Sequence, residues 1–334
     1  MKKYIVAIET SCDETSVAIA TKGNIVTNIV SSQIHVHAQF GGVIPEVASR
    51  MHVEQITMVI REAMTHAHIT WDEVMAIAVT QGPGLIGALH VGLQAAKTLA
   101  FIYDIPLIPV HHIASHIYAS AVERDFHYPA LALVVSGGHT QLVLLNAALE
   151  YTIIGDTQDD AIGEAYDKVA RLLKLPYPGG PQIDRLAKIG KATYPLPIPK
   201  VEGKYDFSFS GMKTAVLNIV HHAEQVGDEV RIADLATSFQ EAAVKQLLMK
   251  VDAALTDYQV HEFVLAGGVS ANSYLRQQVL NLPQRHPSLI VSIPPFHLCT
   301  DNAGMVANLA TYLYERQQFA PLSIGVHPDL PLVG

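Results

Sequence analysis

Two histidines four positions apart, in His112-Ile113-Ala114-Ser115-His116, are the residues of this chain whose type and spacing most directly suggest chemistry. On a helix, positions i and i+4 lie one above the other, so both imidazoles reach one metal ion. With 17 histidines in 334 residues, chance alone supplies on the order of one such pair, and two helix-surface histidines are the plain alternative. A zinc-protease reading fails on Ile113, which stands where the general-base glutamate would follow the first histidine. A third ligand has to come from elsewhere. Asp301 in Cys299-Thr300-Asp301-Asn302 is the best candidate, and its alternative role at a strand-to-helix junction is an N-cap. Two histidines and one carboxylate with open positions suit Fe2+ or Zn2+ and leave room for a substrate.

A second set of chemistry-bearing residues lies in three glycine-bearing turns: Ser136-Gly137-Gly138-His139, Pro178-Gly179-Gly180-Pro181, and Ala266-Gly267-Gly268-Val269-Ser270-Ala271-Asn272. Glycine lets backbone N–H groups approach phosphate or carboxylate oxygens with no Cβ in the way, although any one Gly-Gly also serves as an ordinary tight turn. Neither the P-loop pattern nor G-x-G-x-x-G occurs, so a bound nucleotide is held by another scheme. Glu164, Asp167 and Lys168 share or border one helix face. They either pair among themselves, or Asp167 accepts hydrogen bonds from a ligand amine or hydroxyl.

The elements that must position these groups alternate along the chain. An apolar run from Ala132, a polar Ser136-Gly137-Gly138-His139-Thr140 break and a second apolar run to Leu145 read as a buried hairpin. Ile5 to Ile8, the polar Glu9 to Thr15 stretch and Ser16 to Ala20 form a nearly matching unit at the start. Two such units suggest an internal duplication with a ligand held between the halves. Each hairpin is followed by a third strand, then by helices and further strands. In the first half these include helices from Pro45 to Ala67, Leu85 to Tyr103 and His111 to Glu123. Gly87 and Gly92 within the second of these suggest close packing against a neighbour. The class is α/β, with a seam at Asp125 to Tyr128.

Composition sets bounds on partners. An apolar fraction of 49% fits a globular protein, and no run approaches the roughly 18 uninterrupted apolar residues of a membrane helix. Cys12 and Cys299 are too few for a disulfide framework, which points to a reducing, cytoplasmic setting. The formal net charge of -9 is unlike a free-standing nucleic-acid binder, so any RNA must meet a local basic patch or a helper protein. Arg171, Lys174, Lys200, Lys204 and Lys213 are the nearest local excess of positive charge.

Nine blocks together resemble one family. They are Ile8 to Thr15, Gly41 to Glu46, His111 to His116, Val135 to Thr140, Gly163 to Lys168, Tyr177 to Pro181, Phe207 to Gly211, Ala266 to Asn272 and Cys299 to Asn302. Their order and content are similar to the universal tRNA threonylcarbamoyladenosine synthase family, in its bacterial transferase branch. The resemblance implies a duplicated actin-like ATPase fold, with lobes at 1–126 and 127–334, a ligand cleft between them and a helical insertion around 159–225. It implies transfer of a threonylcarbamoyl group from threonylcarbamoyl-AMP to N6 of adenosine 37 in tRNAs that read codons beginning with A. An actin-fold small-molecule kinase and a non-catalytic scaffold are the rival readings.

By the same resemblance His112, His116 and Asp301 are metal ligands for one divalent ion, Fe2+ ahead of Zn2+. Val134, Val135, Ser136, Gly137, Gly138, Asp167, Gly180 and Asn272 match substrate-binding positions, and Asp184 matches a position used in some members. His111 is not carried over as a ligand. The general base is left among His139, Asp13 and Glu14. Implied partners are the tRNA anticodon arm, an inactive paralogue of the same fold and a small P-loop ATPase, without a membrane. Asn302-Ala303-Gly304 and Ser115 depart slightly from the family pattern, and neither change removes a liganding group.

Overall fold

The opening run Tyr4–Glu9 folds as β1, and all but its first residue are buried, which is why it reads as a continuous apolar stretch. The computed structural model describes residues 2–122 and 124–333. The chain divides into two units, Met1–Asp125 with Pro294–Gly334, and Phe126–Ile293.

In the first unit β1 turns back into β2 (Glu14–Thr21) and then β3 (Asn24–Ser32), whose half-exposed Asn, Thr and Ser positions mark it as the sheet edge. Helices α1 (Ile34–His37) and α2 (Pro45–Ala67) follow, with Pro45 in the first turn. Then come β4 (Val74–Gly82), α3 (Ile86–Tyr103), β5 (Leu107–His111) and α4 (His112–Tyr118). The sheet order is β3-β2-β1-β4-β5, antiparallel across the first three strands and parallel from β1 through β4 to β5. The two glycines of α3 are tight contacts: a Cβ at Gly92 would lie 2.3 Å from Thr10 Oγ1, and one at Gly87 would lie 2.4 Å from Ser49 Oγ. Val6, Ile8, Val17, Ile19, Val79 and Leu93 form the centre of this unit's core.

The second unit repeats the plan. Its meander is β6 (Ala130–Val135), β7 (Thr140–Ala147) and β8 (Glu150–Asp156). Helices α5 (Ile162–Leu172), α6 (Gly179–Ala187), α7 (Ser210–Val226) and α8 (Ile232–Asp257) follow. The unit ends with β9 (Glu262–Ala266), α9 (Ser273–Leu280) and β10 (Ile290–Ser292). The order β10-β9-β6-β7-β8 is the first sheet's order with each strand replaced by its counterpart. The duplication read from two hairpins therefore extends to whole sheets. Phe207, Phe209, Phe239 and Phe263 are fully buried around the second core, each worth about 1.5–3 kcal/mol relative to exposure.

Two sequence expectations are corrected. The helix expected over His111 to Glu123 ends at Tyr118, because Asn308 Nδ2 donates 2.8 Å to the Tyr118 carbonyl and Ala121 N closes a turn on the same oxygen at 2.9 Å. Glu123 itself lies outside the described residues. The chain from Pro294 onward was assigned to the second lobe and instead belongs to the first unit. Its helix α10 (Ala303–Glu315) buries residues from Ala303 to Thr311 against β1 and β2. Ala303 N donates to Ser16 Oγ and Gly304 N to Asn28 Oδ1. A reading in chain order cannot see this return, because it depends on an apolar helix face matching a sheet nearly 300 positions earlier.

Candidate functional site

In unit 1 the first turn of α4 is held by His111. Its Nδ1 accepts from Ile113 N at 3.1 Å and Ala114 N at 3.3 Å, so it is the N-cap. Its Nε2 faces the Leu330 carbonyl at 3.1 Å. His111, which the resemblance does not carry over as a ligand, is thus engaged in capping α4. The next residue, His112, and His116 one turn later present rings 4.7 Å apart, nearly perpendicular. Asp301 Oδ1 lies 3.1 Å from His116 Nε2 and 3.5 Å from His112 Nε2. Ligand atoms of these three residues all lie within 4.8 Å of one another.

The alternative role for Asp301 is taken by its neighbour. Asn302 caps α10, its Oδ1 accepting from Met305 N at 3.1 Å. Asp301 is thereby left facing the two imidazoles. Burial opposes ionisation of Asp301, but the charge of His112 and the hydrogen bond from His116 hold its pKa below the usual carboxylate value. Burial also opposes charge on His112, yet the Asp301 and Glu9 carboxylates outweigh it and raise its pKa to about 9. Burial dominates at His116 and lowers its pKa. A cation and a proton thus compete for the lone pair at His112 Nε2. The residues fit a divalent metal: two nitrogens and one oxygen converge, and the buried Nδ1 of His116 has no hydrogen-bond partner.

Glu9 and Ser11 stand beside this centre and were missed by sequence reasoning. Glu9 is fully buried, and Ser11 Oγ lies 3.1 Å from His112 Nδ1. The loop that follows is pinned from behind. His52 Nε2 donates to Cys12 O at 2.9 Å while its Nδ1 accepts from Thr15 Oγ1 at 2.7 Å. Gln33 N donates to Asp13 O at 3.1 Å. Of the candidate bases here, Glu14, the first residue of β2, accepts from Ser32 Oγ at 2.8 Å, and its other oxygen is buried without a partner. Burial pushes Glu14 up to about 8, and burial with the Asp301 charge raises Asp13.

In unit 2 the Ser136–His139 turn is closed by Ser136 N donating to His139 O at 2.9 Å and His139 N to Ser136 Oγ at 3.0 Å. The Ser136 N–H is therefore spent inside the turn. Gly137 and Gly138 are exposed, and a Cβ on either would meet nothing within 4 Å, so this part of the turn is open. Val134 and Val135 have fully buried side chains and offer only backbone. Gly163 N donates to Ser136 O, locking α5 to the turn.

The other carried-over residues cluster round α6 and α9. Asp167 Oδ1 accepts from Gly179 N at 2.7 Å at the start of α6, one residue before Gly180. Asp184, on the same helix, accepts from Ser273 Oγ at 2.8 Å. Asn272 caps α9 through Leu275 N at 2.9 Å and donates to Gln240 Oε1 at 2.7 Å. Near it, Ser270 Oγ is buried with no partner. The α6 and α9 starts present the amide ends that favour anions. Lys168 pairs with Asp160 and Glu164, which is the structural half of the alternatives left open for that face. Lys204 and Lys213, of the basic group, are paired with Asp257 and Asp160.

The profile of the family described as TsaD, tRNA N6-adenosine threonylcarbamoyltransferase, matches residues 24–308. A relative of that name from Geobacillus thermodenitrificans is 52% identical over 332 residues, which is 99% of this chain and 97% of the relative. One from Bacillus cereus is 52% identical over 330 residues, 98% of this chain and 96% of the relative. Among solved structures, HypF of T. kodakarensis aligns with a TM-score of 0.64 at 14% identity, covering 95% of this chain and 48% of its own. The chain thus spans about half the length of that neighbour, and the likeness carries the fold alone: two α/β units of the actin-like ATPase type.

Proposed function

The chain belongs to the tRNA N6-adenosine threonylcarbamoyltransferase family, and from that membership we propose how its residues divide the reaction. The product is N6-threonylcarbamoyladenosine in tRNA. The donor is threonylcarbamoyl-AMP and the acceptor is adenosine 37 of tRNAs reading codons that begin with A. The N6 amine attacks the carbamoyl carbon, the bond from that carbon to the phosphate oxygen breaks, AMP departs, and N6 gives up one proton.

Unit 2 holds the adenylate. The Gly137 and Gly138 N–H groups serve its phosphate oxygens, with Val134, Val135 and Ser136 supplying the rigid strand end behind them. Asp167, Gly180, Asp184 and Asn272 frame the nucleoside. In unit 1 His112, His116 and Asp301 hold one divalent cation, Fe2+ ahead of Zn2+, as suits two imidazoles and a carboxylate. When bound, that cation supplies a Lewis acid for substrate oxygens. Glu14 takes the N6 proton: a buried carboxylate with an unpartnered oxygen and a pKa near 8 is matched to operating pH. Asp13 and His139 are its rivals.

The observation that carries this reading is the pairing of roles at 301 and 302: Asn302 caps the helix, so Asp301 faces the histidines. No helix among the described residues is long and apolar enough to cross a membrane. The chain works in the cytoplasm with an inactive paralogue of its own fold and a small P-loop ATPase. A net charge of -9, with Lys204 and Lys213 of the candidate basic group paired to acids, is why it needs such help to hold the anticodon arm. The test is to incubate the metal-loaded protein with these partners, threonylcarbamoyl-AMP and unmodified tRNA, then assay the nucleoside. Wild type forms it. His112→Ala and Asp301→Ala lose at least 100-fold in rate, and unchanged transfer in either would remove the metal role.

A further inference from the structure

Beneath the two imidazoles lies a carboxylate that none of these roles uses. Glu9 closes β1 with its side chain entirely buried. A buried carboxylate persists only where donors surround it. Three do so here. Ser11 N donates to Oε1 at 2.5 Å, the Thr80 hydroxyl on neighbouring β4 donates to Oε2, and His112 Nδ1 lies 3.3 Å from the same Oε2.

The consequence falls on the far side of the ring. A neutral histidine carries one proton, and the nitrogen without it is the one that binds a metal. Ser11 Oγ, 3.1 Å from His112 Nδ1, can donate or accept, whereas the Glu9 carboxylate at 3.3 Å can only accept, so Glu9 keeps the proton on Nδ1 and leaves Nε2, which faces Asp301 Oδ1 at 3.5 Å, as the ligand atom. His116 has no such support, since its Nδ1 is buried without a partner. The two ligands are therefore unequal.

We propose that Glu9 is the positioning residue of the metal centre, fixing the tautomer and orientation of His112 from behind. This rests on the reading of His112, His116 and Asp301 as metal ligands, and it adds a fourth residue that binds no metal itself.

Glu9→Gln tests it, because the amide keeps the shape and has one acceptor oxygen instead of two. Ser11 N is fixed on the Oε1 side, so the oxygen stays there and the amide NH2 turns to Thr80 and His112. Thr80 can rotate its hydroxyl to accept. That N–H now points at His112 Nδ1, which either accepts it and moves its own proton to Nε2, blocking ligation, or keeps its proton on Ser11 Oγ at 3.1 Å alone, so the hold on the Nε2-ligating tautomer is weakened.

The measurement is Zn2+ affinity of the full chain by chelator competition, beside the melting temperature of the metal-free protein. Glu9→Gln weakens Zn2+ binding about 10–100-fold at a melting temperature that still reports a folded protein. Affinity within twofold of wild type in the folded variant overturns the proposal. A second readout needs no variant to fold: in Zn2+-loaded wild type, the imidazole 15N spectrum should place the metal on Nε2 and the proton on Nδ1 of His112. Zinc on Nδ1 would overturn the proposal as well. His116→Ala and Asp301→Ala separate the two readings. If they leave Zn2+ affinity unchanged, the metal centre itself fails and takes the role of Glu9 with it. If they abolish binding while Glu9→Gln does not, only the role of Glu9 fails.

Discussion

Asp301 and Asn302 are adjacent, and either type of side chain can cap a helix. The structure gives the cap to the neutral one and the imidazoles to the charged one. Charge also separates the candidate bases. Glu14 is nearly buried, and its pKa rises from 4.5 to about 8. A carboxyl whose folded pKa is raised resists ionisation, so the folded state loses stability as pH climbs from about 4.5 to 8 and keeps it below. Glu14→Gln removes that loss while preserving the bond from Ser32. In metal-free protein the variant should match wild type in melting temperature near pH 4.5 and exceed it by several degrees at pH 8, a difference on the order of a few kcal/mol. Its transfer rate should fall about 100-fold or more at constant tRNA affinity. A rate equal to wild type would transfer the base role to Asp13 or His139.

At the scale of elements, each unit sets its polar loop with a helix N-terminus. In unit 2 the join between α5 and the β6–β7 turn leaves no room for a side chain. A Cβ at Gly163 would lie 2.6 Å from Ser136 O and 2.9 Å from Gly137 Cα. Gly163→Ala should push the turn out of shape and weaken AMP binding at least tenfold, while Zn2+ affinity, which depends on unit 1, stays unchanged. Isothermal titration with each ligand separates the two. The Phe207-Ser208-Phe209-Ser210 block has a structural explanation at this scale. Asp159 accepts from the hydroxyls of Ser208 and Ser210 and from Phe209 N, tying the start of α7 to the end of the meander while both phenyl rings fill the core.

Across the whole chain, the C-terminal segment supports the start of α4 and the end of β4. His327 N donates to Gln81 O, Gly84 N to Pro328 O, and the His111 ring reaches Leu330 O. The fit is close enough that a Cβ at Gly82 would lie 1.9 Å from His327 O. Deleting residues 321–334 removes the acceptor that orients His111 and so loosens the cap of α4. The shortened protein should melt several degrees lower and bind Zn2+ several-fold more weakly, with AMP affinity retained by unit 2. Equal Zn2+ affinity would show that α4 holds its ligands without the segment.

Local patterns were enough for the α/β class, the repeated hairpins and the His112–His116 pair, because strand alternation and helical i,i+4 spacing relate residues only a few positions apart. Residue types at strand ends extended that to Asp301 and the glycine turns as candidates, and the family resemblance gave them roles. Three things depended on distant residues meeting. The C-terminal helix returned to the first sheet because its apolar face matched strands far earlier in the chain. Ser136 N–H was withdrawn from the ligand-facing set by a bond within its own turn. Glu9, an ordinary strand-end acid by sequence, came to support His112 because β1, β4 and the start of α4 meet there, 103 positions apart along the chain. Burial gives such a meeting its force, since a carboxylate removed from water must find its donors in the protein.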